Sequence, residues 1–462
     1  MKLLFVVSSL DLTQPFSATP AWWQLMKGLY EIGVEVIATP YQGPAIESLW
    51  WRAAANPAKW QGDTFKAARD MMGKRSPHPR PLSAGVGRGE NLTPPAPRRN
   101  KFRPEFREGG VTLPVEGDVG APLPHPLPTS VGRGENLTPS ASHSQATGEK
   151  SAVENQESGM DRLVRGVAQT LIAPLWERHL DKLLTKEPDI DAVIVLTAPL
   201  NQIKGVAKAI IQKHRKPVFY YDGDVPASLP NMRGFASGFR IYQGSDPAEF
   251  TAFISNSMGG GEAIRALGAR AVHTLYYGAD PDVFSPVEVA SQDIDVMFYG
   301  HGREYRGEWI DAMLAQPAAA LPDLKFAVRG TKLGDLGRVQ LLPYLSFSKL
   351  REYACRSKIN LCITRAAHAN VYASSSSRPF ELAGMGCCIV ANPYQGIENW
   401  FEPGKEVIVV QSQEEAVDRY RWLIDHSDER LAMGRAARER LLKEHTFVHR
   451  ARELVGIVQG YL

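Results

Sequence analysis

Short, almost wholly apolar runs alternate with amphipathic segments along most of this chain, and that alternation leaves few folds open. Residues 2–7, 192–197, 217–221, 252–256 and 271–276 each read as a strand. Strands with little polar content are buried on both faces, which is the mark of a parallel sheet covered by helices. Between them, apolar spacing near 3.6 predicts helices over 20–32, 160–184, 202–213 and 259–267, with Gly33 and Gly268 closing the first and last. A second series opens near Asp293. Its strands are 294–299, 325–329, 359–364, 388–392 and 406–410, and its helices 308–316, 346–356, 379–385, 413–425 and 428–444. The expected fold class is α/β, with two Rossmann-like domains facing across a cleft: 1–72 with 160–286, then 293–445. In open α/β sheets ligands sit at the carboxyl ends of strands, so that cleft is where chemistry is expected.

The stretch 73–159 does not fit this rhythm. It is rich in Pro, Gly, Ser, Arg and Glu, and Val-Gly-Arg-Gly-Glu-Asn-Leu-Thr-Pro occurs twice, from Val86 and from Val131. Without apolar periodicity it cannot bury enough surface to offset chain entropy, and we read it as a disordered insertion. A length of 462 residues leaves room for two domains outside it. A net charge of only +3 gives no reason to expect nucleic acid, and permits at most a weak membrane-surface association. The opening residues 1–7 are too short for a signal segment and no run of about 18 apolar residues occurs, so no transmembrane helix is expected. Cys355, Cys362, Cys387 and Cys388 lie in apolar stretches without a C-x-x-C pair, as suits a reduced, cytoplasmic protein.

One block concentrates groups suited to anion binding. Ser374, Ser375, Ser376 and Ser377 precede Arg378-Pro379-Phe380-Glu381, and Pro379 suits the first turn of a helix. A helix start presents free N–H groups, Arg378 adds a fork of donors for a diphosphate, and Glu381, one turn in, can accept two ribose hydroxyls. The same serines would equally cap the helix. Gly300, Arg303 and Arg306 follow the first strand of the second half, and Arg329 ends its next strand. Gly396 and Glu398 form a turn after another strand. On the N-terminal side Asp222-Gly223-Asp224 ends a strand, where either carboxylate could serve as a general base or simply build an Asp-Gly turn. His301 and His368 stand near the same strand ends. Asp222-Gly223-Asp224 is also the one D-x-D triplet after an apolar strand, the pattern a metal-dependent enzyme would use.

Residues 250–462 carry a resemblance. Ser377-Arg378-Pro379-Phe380-Glu381-Leu382-Ala383-Gly384-Met385-Gly386, the run from Ile389 to Glu406, and the run from Glu429 to Ala451 together resemble glycosyltransferases related to the spore maturation protein CgeB, of the group 1 glycosyl transferases. Residues 252–286 and 295–306 are similar to the interdomain region of such GT-B enzymes. The resemblance implies a nucleotide-sugar donor held mainly by the C-terminal half, an acceptor of unknown kind, and no metal or other cofactor. It implies that Glu381 binds the ribose, that Asp280 is a structural residue of the linker, and that 446–462 forms a helix crossing back to the N-terminal domain. Many retaining members carry a second glutamate eight positions before the first, where this chain has Ala373. Inverting and retaining chemistry therefore both stay open. So do a nucleotide-sugar epimerase of the same architecture and a non-catalytic sugar-nucleotide binding protein.

Overall fold

The computed structural model describes residues 1–11, 20–58, 159–230, 241–302, 306–343 and 347–462. The expected insertion, apart from Gly159, lies outside them, as does Arg303. Two sheets are built, and their pairings are parallel. The first orders its seven strands β3-β2-β1-β4-β5-β6-β7. These are β1 Lys2–Ser9, β2 Glu35–Gln42, β3 Arg52–Ala53, β4 Ala192–Leu196, β5 Val218–Asp222, β6 Ala252–Ser255 and β7 Val272–Thr274. The second orders six strands β10-β9-β8-β11-β12-β13. They are β8 Ile294–His301, β9 Phe326–Thr331, β10 Gln340–Leu341, β11 Ser357–Cys362, β12 Ile389–Ala391 and β13 Ile408–Val409. Each order reverses direction once, between β1 and β4 and between β8 and β11. Such switch points open a crevice at the carboxyl ends of the flanking strands.

Burial explains the apolar runs. Leu4 and Val6 of β1 join one core, while Leu3, Phe5 and Val7 join another on the opposite face. The second sheet repeats this, with Met297 and Tyr299 on one side of β8 and Val296 and Phe298 on the other. Four helices bear on how the halves are joined. Helix α1 is Ala21–Glu31, α2 is Ser377–Gly384, α3 is Ser427–Glu444 and α4 is Phe447–Gln459. After α3 the chain returns to the first sheet. Phe447, Ala451, Leu454 and Val458 of α4 pack with Leu25, Met26 and Leu29 of α1 in one core. The two helices approach so closely that a Cβ on Gly28 would lie 2.7 Å from the Phe447 carbonyl oxygen. Thr446 caps α4, accepting from the His449 N–H, and the Ala279 N–H donates to the His445 carbonyl beside it. Among the described residues no helix is long and apolar enough to cross a membrane.

The loop before α2 is stitched to the end of β6. Met258 N–H donates to the Ala373 carbonyl, Gly259 N–H to Tyr372, and Ser375 N–H to Asn256. The Asn256 side-chain amide donates back to the Ser375 carbonyl at 2.8 Å, and the Ser257 and Ser374 hydroxyls meet at 2.6 Å. These bonds join the two halves at the point where α2 begins.

Candidate functional site

A cleft of about 320 Å³ opens between the carboxyl ends of the two sheets. Its C-terminal wall is cationic. Arg306 follows β8 and Arg365 follows β11, so the two strands that flank the second switch point each deliver a guanidinium. Arg378, in the first turn of α2, delivers a third, and Glu381 stands one turn further on. The opposite wall holds Gly223 and Asp224 after β5, Tyr277, and the start of α1.

Glu381 is buried, and its carboxylate accepts from the Tyr299 hydroxyl at 3.0 Å. Arg378 Nε lies 3.7 Å from the same oxygen. The Arg378 guanidinium sits over the Tyr299 ring, 3.7 Å from its centroid, and donates to the Tyr299 carbonyl. Tyr299 therefore orients both charged groups of α2, and its own hydroxyl is driven well above its ordinary range by burial and by Glu381. An ionised carboxylate has acceptor sites beyond those in use here. Ser376 occupies the N-cap position of α2 with no side-chain cap bond, and Ser377 opens the helix; both line the cleft.

The arginines crowd one another. Burial, then the neighbouring charges of Arg378 and Arg365, push the Arg306 guanidinium down to about 9. Such an environment favours an anion, because negative charge placed among these groups relieves both penalties. Arg365 is engaged with Asp224 at 2.5 Å. Asp224 is partly open to the cleft, yet the surrounding protein raises its carboxyl, with Arg365 opposing. His368 is buried in the same wall, its Nε2 3.8 Å from Asp224 and 3.4 Å from Arg365. Burial, Arg365 and Arg306 hold its imidazole well below the usual range, so it is neutral.

Several residues expected at the site stand elsewhere. Asp222 is buried behind the cleft, accepting from the Ser228 hydroxyl at 2.6 Å, the Tyr242 hydroxyl at 2.7 Å and the Asp224 N–H at 3.0 Å. With both oxygens occupied it shapes the Asp224 turn and offers no open side to an acceptor. Ser375 is also spent internally: its hydroxyl donates to the Asn256 carbonyl and accepts from the Tyr277 N–H, each at 2.9 Å. Gly300 is a point of close strand approach, since a Cβ on Gly330 would fall 1.8 Å from its carbonyl oxygen. Arg329 is buried within β9 beside Tyr299 and is absent from the described cleft wall. Gly396 has a left-handed φ of 85° and backs directly onto the buried Ala373, while Glu398 is exposed. Arg365 is the cleft residue that no motif announces. Its signal in the sequence is position alone: it is the third residue beyond the end of β11, at the switch point.

Residues 303–456 match the family model described as glycosyl transferase-like. Nothing among curated proteins matches the chain. Among solved structures it is similar to sucrose-phosphate synthase from Thermosynechococcus elongatus, with a TM-score of 0.58, 11% identity, and 100% of this chain and 99% of that one covered. It is similar to α,α-trehalose 6-phosphate synthase from Burkholderia multivorans, with a TM-score of 0.54, 9% identity, and 100% and 98% covered. A glycosyltransferase from Rickettsia africae gives a TM-score of 0.52, 10% identity, and 100% and 98% covered. At such identities the likeness is one of fold, and the fold is the GT-B architecture of two facing Rossmann-like halves.

Proposed function

We propose that this chain is a glycosyltransferase that binds a nucleotide sugar in the cleft and moves its sugar to an acceptor hydroxyl. The observation that carries this reading is the convergence of Arg306, Arg365 and Arg378 on one cleft, with the Glu381 carboxylate a helical turn from Arg378. A nucleoside diphosphate presents the complementary pattern of a diphosphate beside a ribose. In this reading Glu381 accepts the ribose hydroxyls. Arg378, with the N–H groups that open α2 at Ser376 and Ser377, holds the diphosphate, and Arg306 and Arg365 face the charge that grows on it. The acceptor oxygen bonds to the anomeric carbon as the bond from that carbon to the phosphate oxygen breaks. The electron pair leaves on the nucleoside diphosphate, and the hydroxyl proton passes to Asp224. The guanidinium groups supply the positive charge that a divalent cation brings elsewhere, so the reaction is proposed to be metal-independent.

The CgeB-like sequence of 377–462 supports the same reading. The four cysteines are unpaired and three are buried, which suits a cytoplasmic setting. Calorimetry with nucleotide sugars of each base tests the proposal. At least one should bind, and its nucleoside diphosphate should be released only when an acceptor is present. Failure of every nucleotide sugar and every nucleoside diphosphate to bind would end the reading.

A further inference from the structure

Resting on that reading, we infer that the acceptor is an aryl alcohol, its ring seated in an apolar recess that opens off the N-terminal wall of the cleft. The recess encloses about 120 Å³. Ala21, Gly223 and Tyr277 line both it and the cleft, so the two spaces adjoin. Beyond them its walls are Trp22 and Leu25 of α1, Leu196 at the end of β4, Thr197 and Tyr221. These elements flank the switch point of the first sheet, where β1 and β4 part, as Arg306 and Arg365 flank that of the second. Among the described residues, none that lines the recess carries a charge.

The lining decides between classes of acceptor. A sugar would bury several hydroxyls, and each one left without a partner keeps its full desolvation penalty. Besides the Trp22 N–H and the Tyr221 hydroxyl, the recess has little to offer them. The Tyr277 hydroxyl is already donated to the Gly223 carbonyl at 2.6 Å, and the Thr197 hydroxyl lies 3.5 Å from that of Ser8. A flat ring needs no such partners. An apolar cavity of roughly 150 Å³ holds one benzene, so this smaller space, open on one side to the cleft, has room for no more than a single ring. Trp22, Tyr221 and Tyr277 supply aromatic faces and edges for it. Thr197 adds a second sign of a built site. Its φ of 52° is left-handed, a conformation unfavourable for a β-branched residue, and it is held at this wall by its N–H bond to the Tyr221 carbonyl.

A ring so placed carries its hydroxyl toward the shared rim at Gly223, the residue next to Asp224. The phenolic oxygen then bonds to the anomeric carbon, the bond from that carbon to the donor phosphate breaks, the pair departs on the nucleoside diphosphate, and the phenolic proton goes to Asp224.

The test uses the full chain and 4-methylphenol. Ligand-observed NMR without donor should detect binding to the parent protein. Trp22→Ala should weaken it about tenfold or more, and Trp22→Phe should restore most of it. Both variants should keep the parent affinity for nucleoside diphosphate, which also checks that they fold. With a bound donor, 4-methylphenol should drive nucleoside diphosphate release and glucose or glucose 6-phosphate should not. Absence of phenol binding to the parent, indifference to Trp22→Ala, or faster release with either sugar overturns the inference. Loss of the inference with donor binding intact leaves the glycosyltransferase reading standing. Phenol binding without any donor binding sinks that reading and, with it, the acceptor role.

Discussion

Asp224 and Arg365 face each other across the cleft, one from each half, and their ion pair joins its two walls. A base that takes a proton from an acceptor works best with a pKa lifted toward the working pH, and burial lifts Asp224 in that direction. Asp224→Asn keeps the shape and removes the proposed base. It should lower kcat by about 10²–10⁴, the usual range for a general base, while donor affinity does not weaken, because Arg365 is freed for phosphate. Steady-state kinetics beside donor calorimetry separates the two effects, and a parallel loss of affinity would show that Asp224 serves binding instead. At this scale the sequence was only partly legible. Asp222 and Asp224 are the same residue two positions apart, and nothing in the chain says which one the turn hides; that depends on Ser228 and Tyr242 closing over Asp222. Ser375 and Ser376 differ in the same way, because the carbonyl of Asn256, far off in sequence, takes the hydroxyl of the first.

Elements were more legible than residues, and for a physical cause. A strand buried on both faces has to be apolar throughout, so β1, β4, β5, β8 and β11 declare themselves, and helices 413–425 and α3 follow from spacing and length. Of the three two-residue edge strands, β3 and β10 carry no such pattern, and Leu341 of β10 is exposed. Nor does spacing announce that the helix expected over 202–213 begins only at Val206, after Gly205 with φ of 90°. That helix start is tied down by Glu249, whose carboxylate accepts from the Gly205 N–H while its other oxygen is buried without a partner. Burial pushes this carboxyl up to about 7 from an ordinary 4.5. Below pH 4.5 folded and unfolded states are both protonated there. As the pH rises toward 7 the unfolded state sheds the proton first, and on the order of 3 kcal/mol of stability is lost. Glu249→Gln should therefore match the parent near pH 4 and exceed it in denaturant unfolding at pH 8. The same difference at both values would contradict the assignment. Helix α4 makes a second prediction. Leu454 is fully buried against α1, so Leu454→Ala should cost about 2–5 kcal/mol, whereas Leu462→Ala, at a 63% exposed position, should stay within about 0.5 kcal/mol. Denaturant melts of the two variants decide it.

For the whole molecule, two sheets alone do not make a site; their joining does. The loop 372–375 hydrogen-bonds to residues 256–259 of the other half and so fixes where α2 starts, while α4 returns from the second half to cover the first. The cleft thereby sets three guanidinium groups and Glu381 opposite Asp224 and the apolar recess. Calorimetry of nucleoside and nucleoside diphosphate binding to the parent, Arg378→Ala and Glu381→Gln tests this arrangement most directly. Glu381→Gln should weaken both ligands alike, by about 1.5–3 kcal/mol, the worth of charge-assisted hydrogen bonds. Arg378→Ala should weaken the diphosphate more than the nucleoside, because its partner is phosphate. Equal affinities in all three proteins would mean that α2 is not the donor site, and the account of the cleft would fail.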